Sequence, residues 1–295
     1  MEVGNKASDD LRRRLKIGIL GDILFSIAQF VIGISSGSLA LISNGGHGLT
    51  DALSLLISFI AAKVSMREAT TKKTYGYGRA TIIAALINSV LLILFAIFVF
   101  AEAYVRILNP VPVGGVAIIV TAIFGMLLSG GIAVLLRKHN EDLNVKSVFL
   151  HMGYDAIAYV GTLLAGLAIL VTRQTVFDPL ISILIGILMI IGAWGVLQDA
   201  FQILLEGAPR WISVDAVRES IKRNKAVRGV HDLHIWAISS QYAALSCHVI
   251  IQADSLSECS AIISNIKKTL RKEFRIEHAT IEAELKNVHM GRAHK

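Results

Sequence analysis

Six stretches of this chain are each apolar over about 20 residues or more, the length at which an α-helix crosses a hydrocarbon core about 30 Å thick. They fall at Leu15–Ile34, Ser38–Ala62, Ala80–Leu108, Val113–Leu136, Val145–Val171 and Phe177–Leu205. Between them stand breakers and charges: Ser35 to Ser38, Lys63 to Arg79, Asn109-Pro110, Arg137 to Asn144, and Thr172 to Pro179. The chain is 54% hydrophobic and 17% charged, whereas soluble domains carry about a quarter charged residues. Nearly all of the apolar excess lies between Leu15 and Leu205, and the residues after Leu205 have the pattern of an ordinary soluble domain. The expected organisation is a membrane domain followed by a small globular one.

Charge sets the expected orientation. The net charge is +7, and within the membrane part the basic residues gather at the ends of the apolar stretches. Anionic lipid and topology rules account for that placement, so no nucleic-acid partner is expected. The N-terminal segment holds Lys6, Arg12, Arg13, Arg14 and Lys16, and the second separator Lys63, Arg67, Lys72, Lys73 and Arg79. The fourth separator holds Arg137 and Lys138, with Lys146 just beyond it, while the alternate separators have only Arg106 and Arg173. This bias predicts a multi-pass protein of the cell membrane with both termini in the cytoplasm. The apolar run after Arg14 leads into a second span without a small-residue cleavage pattern, so it is read as the first membrane helix rather than a signal peptide. Cys247 and Cys259 form no CxxC pair and no disulfide framework.

After Glu206-Gly207-Ala208-Pro209 the pattern changes. Ser213 reads as the N-cap of a helix with Val214, Val217 and Ile221 on one face. His231–Ser239 and Tyr242–Gln252 alternate as two strands around a turn at Ser239-Ser240-Gln241. Asp254-Ser255 caps a second helix carrying Leu256, Ile262, Ile263, Ile266 and Leu270, and Ala279–Leu285 reads as a third strand. The expected fold class is thus an α-helical membrane protein, a six-transmembrane-helix bundle with a C-terminal α+β domain. Its divisions are a cytoplasmic N-terminal segment at 1–14, the six-span domain at 15–206, a cytoplasmic domain at 207–286 and a polar tail at 287–295.

Ionisable residues inside a span are costly, about 2.5–3.5 kcal/mol for Asp at a helix centre, and so call for a function. The second span contains His47-Gly-Leu-Thr-Asp51 and the fifth His151-Met-Gly-Tyr-Asp155. In both, His and Asp stand four residues apart, on one helix face and one turn from each other. A single pair could be no more than a helix-stabilising contact; the same spacing in two spans points to a shared site. Two imidazoles and two carboxylates on facing helices are a donor set that Zn²⁺ accepts in a tetrahedron. Two carboxylates also neutralise one divalent cation. Without the metal, protons would relieve the two buried anions, the physical basis of metal/proton exchange.

With these pairs in place, the sequence resembles the cation diffusion facilitator family, in particular its zinc-transporting members. The matching stretches are Ser38-Leu39-Ala40-Leu41 leading to His47 and Asp51, Tyr75-Gly76-Tyr77-Gly78-Arg79 with Ala84 to Asn88, Glu102-Ala103 to Arg106, Asn109-Pro110, His151 to Asp155, and Gly229 to Trp236. The resemblance implies a homodimer with six spans per protomer and a cytoplasmic ferredoxin-like domain that dimerises and senses metal. It implies a transport site at His47, Asp51, His151 and Asp155, and His at both imidazole positions resembles the zinc-preferring pattern. It further implies Zn²⁺ as transported substrate and as regulatory ligand of the cytoplasmic domain, with protons as the exchanged ion.

The resemblance also marks secondary positions. Met66–Arg79 contains no histidine, so the loop metal site of some bacterial relatives is expected to be absent. His231 and His248 match zinc-binding positions of the cytoplasmic domain, and Glu282 and Glu284 stand where relatives have two further ligands. The two Glu share one face of a strand. His234 and His278 are expected in supporting roles. Arg79 and Glu206 match a charge interlock that couples the membrane and cytoplasmic halves. Asp22, within the first span, either lies on a proton path or pairs locally. A membrane-anchored metal sensor is the alternative function, but an anchor needs no ionisable residues in its spans. A zinc enzyme would need an open coordination position and a nearby general base.

Overall fold

The computed structural model describes residues 2–136, 143–239 and 242–284. Six helices come first: α1 (Glu2–Ser36), α2 (Leu39–Ser65), α3 (Ala80–Leu108), α4 (Gly115–Leu136), α5 (Leu143–Thr172) and α6 (Phe177–Leu204). α2 to α6 each contain a segment long and apolar enough to span a membrane, and the described apolar part of α1 is the shorter Leu20–Ser36. The third span coincides with the expected Ala80–Leu108, and the others differ from expectation only at their ends, except that α1 begins at Glu2, well before Leu15. The fold is an α-helical membrane bundle followed by a small α+β domain. The basic residues Arg137 and Lys138, the turn residues Ser240 and Gln241, and the polar tail lie outside the described residues.

The chain forms two compact units, Met1–Leu56 with Asn88–Gly195, and Ile57–Ile87 with Val196–Lys295. In the first, helices meet where small residues let backbones approach, as packing in lipid favours. A methyl group at Gly45 of α2 would stand 2.6 Å from the Phe30 backbone nitrogen of α1. Polar side chains add cross-helix bonds: Asn44 Nδ2 donates to Thr162 Oγ1 at 2.9 Å, joining α2 to α5, and Tyr159 Oη donates to Gln29 Oε1 at 3.1 Å, joining α5 to α1. The Asn44 bond lies one turn before His47.

The second unit holds the α+β domain, with α7 (Val214–Lys222), β1 (Val227–Ala237), β2 (Ala243–Ile251), α8 (Leu256–Phe274) and β3 (Ile276–Glu284). The sheet order is β1-β2-β3, with β1 antiparallel and β3 parallel to β2. Ser213 caps α7 by accepting from Ala216 N at 3.3 Å, and Ser255 caps α8 by accepting from Glu258 N at 3.1 Å, as expected of Ser at these positions. Val217, Ile221, Ile266 and Leu270 pack with Leu245, Cys247 and Val249 in one core. β1 begins at Val227 rather than His231, and β3 at Ile276 rather than Ala279. Those first residues are recruited by ladder partners on β2: Val227 pairs with Ile251 and Ile276 with Ala243. Burial of Cys247 in this core pushes its thiol up to about 11, leaving it an inert packing residue.

Candidate metal centres

Within the first unit, the crossing of α2 and α5 brings four donors together. His151 Nε2 lies 3.3 Å from Asp51 Oδ2 and 3.6 Å from Asp155 Oδ2. His47 Nδ1 lies 3.6 Å from Asp51 Oδ2, and its Nε2 3.9 Å from Asp155 Oδ1. The two imidazole centroids are 6.1 Å apart. These are pairwise separations that use both nitrogens of His47 and both oxygens of Asp155. Among the described residues no three of these four side chains bring one donor atom each within 4.8 Å of one another, so a single ion, whose tetrahedral ligands stand about 3.3–3.4 Å apart, would draw the side chains inward. His47 Nδ1 is buried without a hydrogen-bond partner, a costly state for a polar atom unless a ligand completes it. Asp22 on α1 interacts electrostatically with Asp155, His151, Asp51 and His47. The first unit thus contains Asp22 together with both His–Asp pairs singled out from the sequence.

A second cluster crosses the sheet of the α+β domain. His231 of β1 pairs with His248 of β2, which pairs with Glu282 of β3, so the three form one rung. The closest contacts go instead to Glu284: His231 Nε2 donates to its Oε2 at 3.0 Å and His248 Nδ1 to its Oε1 at 2.9 Å. Donor atoms of His231, His248 and Glu284 all lie within 4.8 Å of one another, a span one ion could bridge. Glu282 stands at the rim, 67% exposed, with Oε2 3.6 Å from His248 Nε2. Of the two Glu expected at this site, Glu284 contacts both imidazoles and Glu282 stands at the edge of the cluster.

Asp232 escaped the sequence reading of this cluster. A register shift in β1 between His231 and His234 sets it in a left-handed conformation (φ 49°). Its Oδ2 lies 3.7 Å from His248 Nε2, and its Oδ1 accepts from His234 Nε2 at 3.0 Å. The available signal was its place between two histidines in His231-Asp232-Leu233-His234. The carboxylate of Glu284 holds the His248 imidazolium above its usual range, and His248 and then His231 hold the Glu284 carboxyl below its own.

Arg79 and Glu206 meet at 3.4 Å within the second unit, and Arg79 also donates to the Ala237 carbonyl at 3.5 Å. Glu206 is 68% exposed, so the ion pair itself adds little stability. The bond to Ala237 ties the start of α3 to the end of β1. His278 stacks edge-on against Tyr75 at 5.6 Å.

A bundle of apolar helices with half-buried His and Asp donors, joined to an α+β domain with a His/Glu cluster, defines a membrane transporter of metal cations. Residues 15–205 match the cation efflux transmembrane domain, and residues 209–286 the cytoplasmic domain of cation efflux proteins. The chain belongs to the cation efflux family. It is 35% identical over 277 residues to the zinc transporter ZitB of Pectobacterium atrosepticum, covering 92% of this chain and 85% of that protein. It is 33% identical over 264 residues to the cadmium, cobalt and zinc/H(+)-K(+) antiporter of Bacillus subtilis, covering 88% of this chain and 85% of the relative. The metal cation efflux system protein CzcD of Cupriavidus metallidurans is 34% identical over 274 residues, 92% of this chain and 86% of the relative.

Proposed function

We propose that this protein exports zinc from the cytoplasm by exchange with protons, with His47, Asp51, His151 and Asp155 as the transport site. The observation that carries the reading is the convergence of these four donors, with cross-helix separations of 3.3–3.9 Å, between two membrane-spanning helices. Two carboxylates balance the charge of one divalent ion in low dielectric, and protons replace it when it leaves. Asp22, coupled electrostatically to all four residues, lies on the proton path. Cadmium and cobalt accept similar donors and are secondary substrates, in keeping with the names of the relatives from B. subtilis and C. metallidurans.

The protein works as a homodimer in the cell membrane with both termini in the cytoplasm. His231, His248 and Glu284, with Glu282 and Asp232 at the rim, hold a regulatory zinc ion that modulates transport. The Arg79–Glu206 contact couples the cytoplasmic ends of α3 and α6. Zinc uptake into everted proteoliposomes, with and without an imposed pH gradient, tests the proposal. Flux that rises with an opposing proton gradient is expected, and zinc binding without flux would favour the membrane-anchored sensor instead.

A further inference from the structure

The first turn of α2 is held by a carboxylate that takes no part in the metal chemistry. Asp178, in the first turn of α6, is 0% exposed. Its Oδ1 accepts from Ser38 Oγ at 2.6 Å and from Ala40 N at 3.2 Å, and its Oδ2 accepts from Leu39 N at 2.6 Å. Ser38 completes the cap by accepting from Leu41 N at 3.2 Å. Free N–H groups and the helix dipole make such a terminus a favourable place for a negative charge. Arg106, near the end of α3, brings Nη1 to 3.8 Å from Asp178 Oδ2 and donates the same nitrogen to the Gly37 carbonyl. Its Nε donates to Glu102 Oε1 at 2.8 Å. Three helices are thus joined through one fully buried charge.

A buried ion pair is a weak source of stability compared with well-packed apolar side chains, and its better-attested use is to fix register. Register is what α2 requires. His47 lies about 13 Å along the helix axis from Ser38, and a slip of one residue would turn it by about 100° away from α5. We propose that Asp178, with Ser38 and Arg106, is a positioning residue for metal transport: it fixes the axial register and rotation of α2, and so the placement of His47 and Asp51 against His151 and Asp155. The proposal rests on those four residues being the transport site.

The test uses the full chain carrying His231→Ala and His248→Ala, so that the in-membrane donors alone report. Zinc KM and kcat in proteoliposomes and the visible absorption of bound Co²⁺ are compared for Asp178→Asn, Ser38→Ala and Ser38→Thr. Asp178→Asn and Ser38→Ala are expected to raise the zinc KM about tenfold, the effect of weakening a hydrogen bond to a charged group, and to alter the Co²⁺ band. Ser38→Thr, which keeps the hydroxyl, restores both. Wild-type KM and spectrum in Asp178→Asn, or a fall in kcat alone, would overturn the proposal. Should Asp178→Asn not fold, Ser38→Ala decides on the same criteria. An Asp51→Ala variant with an unchanged Co²⁺ band would instead remove the transport-site reading, whatever the Asp178 variants show.

Discussion

A zinc ion between Asp51 and Asp155 is charge-balanced, and a single carboxylate leaves it with uncompensated charge in low dielectric. Asp51→Ala is therefore expected to abolish zinc flux in proteoliposomes while the protein still inserts and folds. Flux at the wild-type rate would place the site elsewhere. His47→Asp supplies a third carboxylate in place of a neutral imidazole. The harder oxygen set should weaken the preference for Zn²⁺ relative to Mn²⁺, slow turnover and shift the pH optimum. Initial rates for Zn²⁺, Cd²⁺ and Mn²⁺ at several pH values check this, and an unchanged preference series would show that helix packing sets selectivity. In the cytoplasmic domain the His248–Glu284 pair sets the sign of the pH dependence. The raised His248 contributes stability that is complete below its ordinary 6.5 and lost as pH rises through its raised value. The lowered Glu284 contributes stability present above its ordinary 4.5 and lost as pH falls through its depressed value. Zinc must displace the His248 proton, so its affinity for this cluster should rise with pH above 6.5, with proton release. Calorimetric zinc titration in an Asp51→Ala background would detect this; a pH-independent affinity with no proton release would contradict it.

Among the helices, the α1–α2 crossing is a contact that admits no added atom. A methyl group at Gly45 would meet backbone 2.6 Å away, whereas one at Gly192 of α6 would meet nothing within 4 Å. Gly45→Ala is expected to destabilise the protein by about 1–3 kcal/mol, as overpacking does, and Gly192→Ala to be neutral or slightly stabilising, since Ala favours helix over Gly by about 1 kcal/mol. Thermal unfolding in detergent separates them, and equal midpoints would show that the crossing is loose. In the sheet, β1's bulge between His231 and His234 presents Asp232 to His248. The element itself, and not the residue alone, makes Asp232 part of the cluster.

For the molecule as a whole, the basic residues of the N-terminal segment and of the Lys63–Arg79 separator predict cytoplasmic termini. Cysteines placed at residue 210 or beyond should react with membrane-impermeant reagents only after the cell is opened, and labelling from outside would sink this topology. The two metal clusters are expected to divide the work. His231→Ala with His248→Ala should shift the zinc concentration for half-maximal transport without eliminating flux. Complete loss of flux in a stable dimer would show that the cytoplasmic cluster takes part in translocation itself.

The sequence alone determined the spans, because about 20 successive apolar residues have few other stable states in water or lipid. It determined the facing of His47 with Asp51 and of His151 with Asp155, because a spacing of four is a local property of any helix. The order of helices and strands in the second domain was legible for the same reason, down to the Ser213 and Ser255 caps. The meeting of the two His–Asp pairs was not, since it depends on how α2 and α5 cross, and that crossing is set by long-range contacts such as Asn44 to Thr162. Ladder register and side-chain direction, which no local pattern encodes, made Glu284 rather than Glu282 the centre of the cytoplasmic cluster. Asp178 shows the limit most clearly. In the sequence it is one acid among the residues of a separator, and only the tertiary structure buries it against the first turn of a helix 138 to 140 positions away, because a buried charge finds its partners in space and not along the chain.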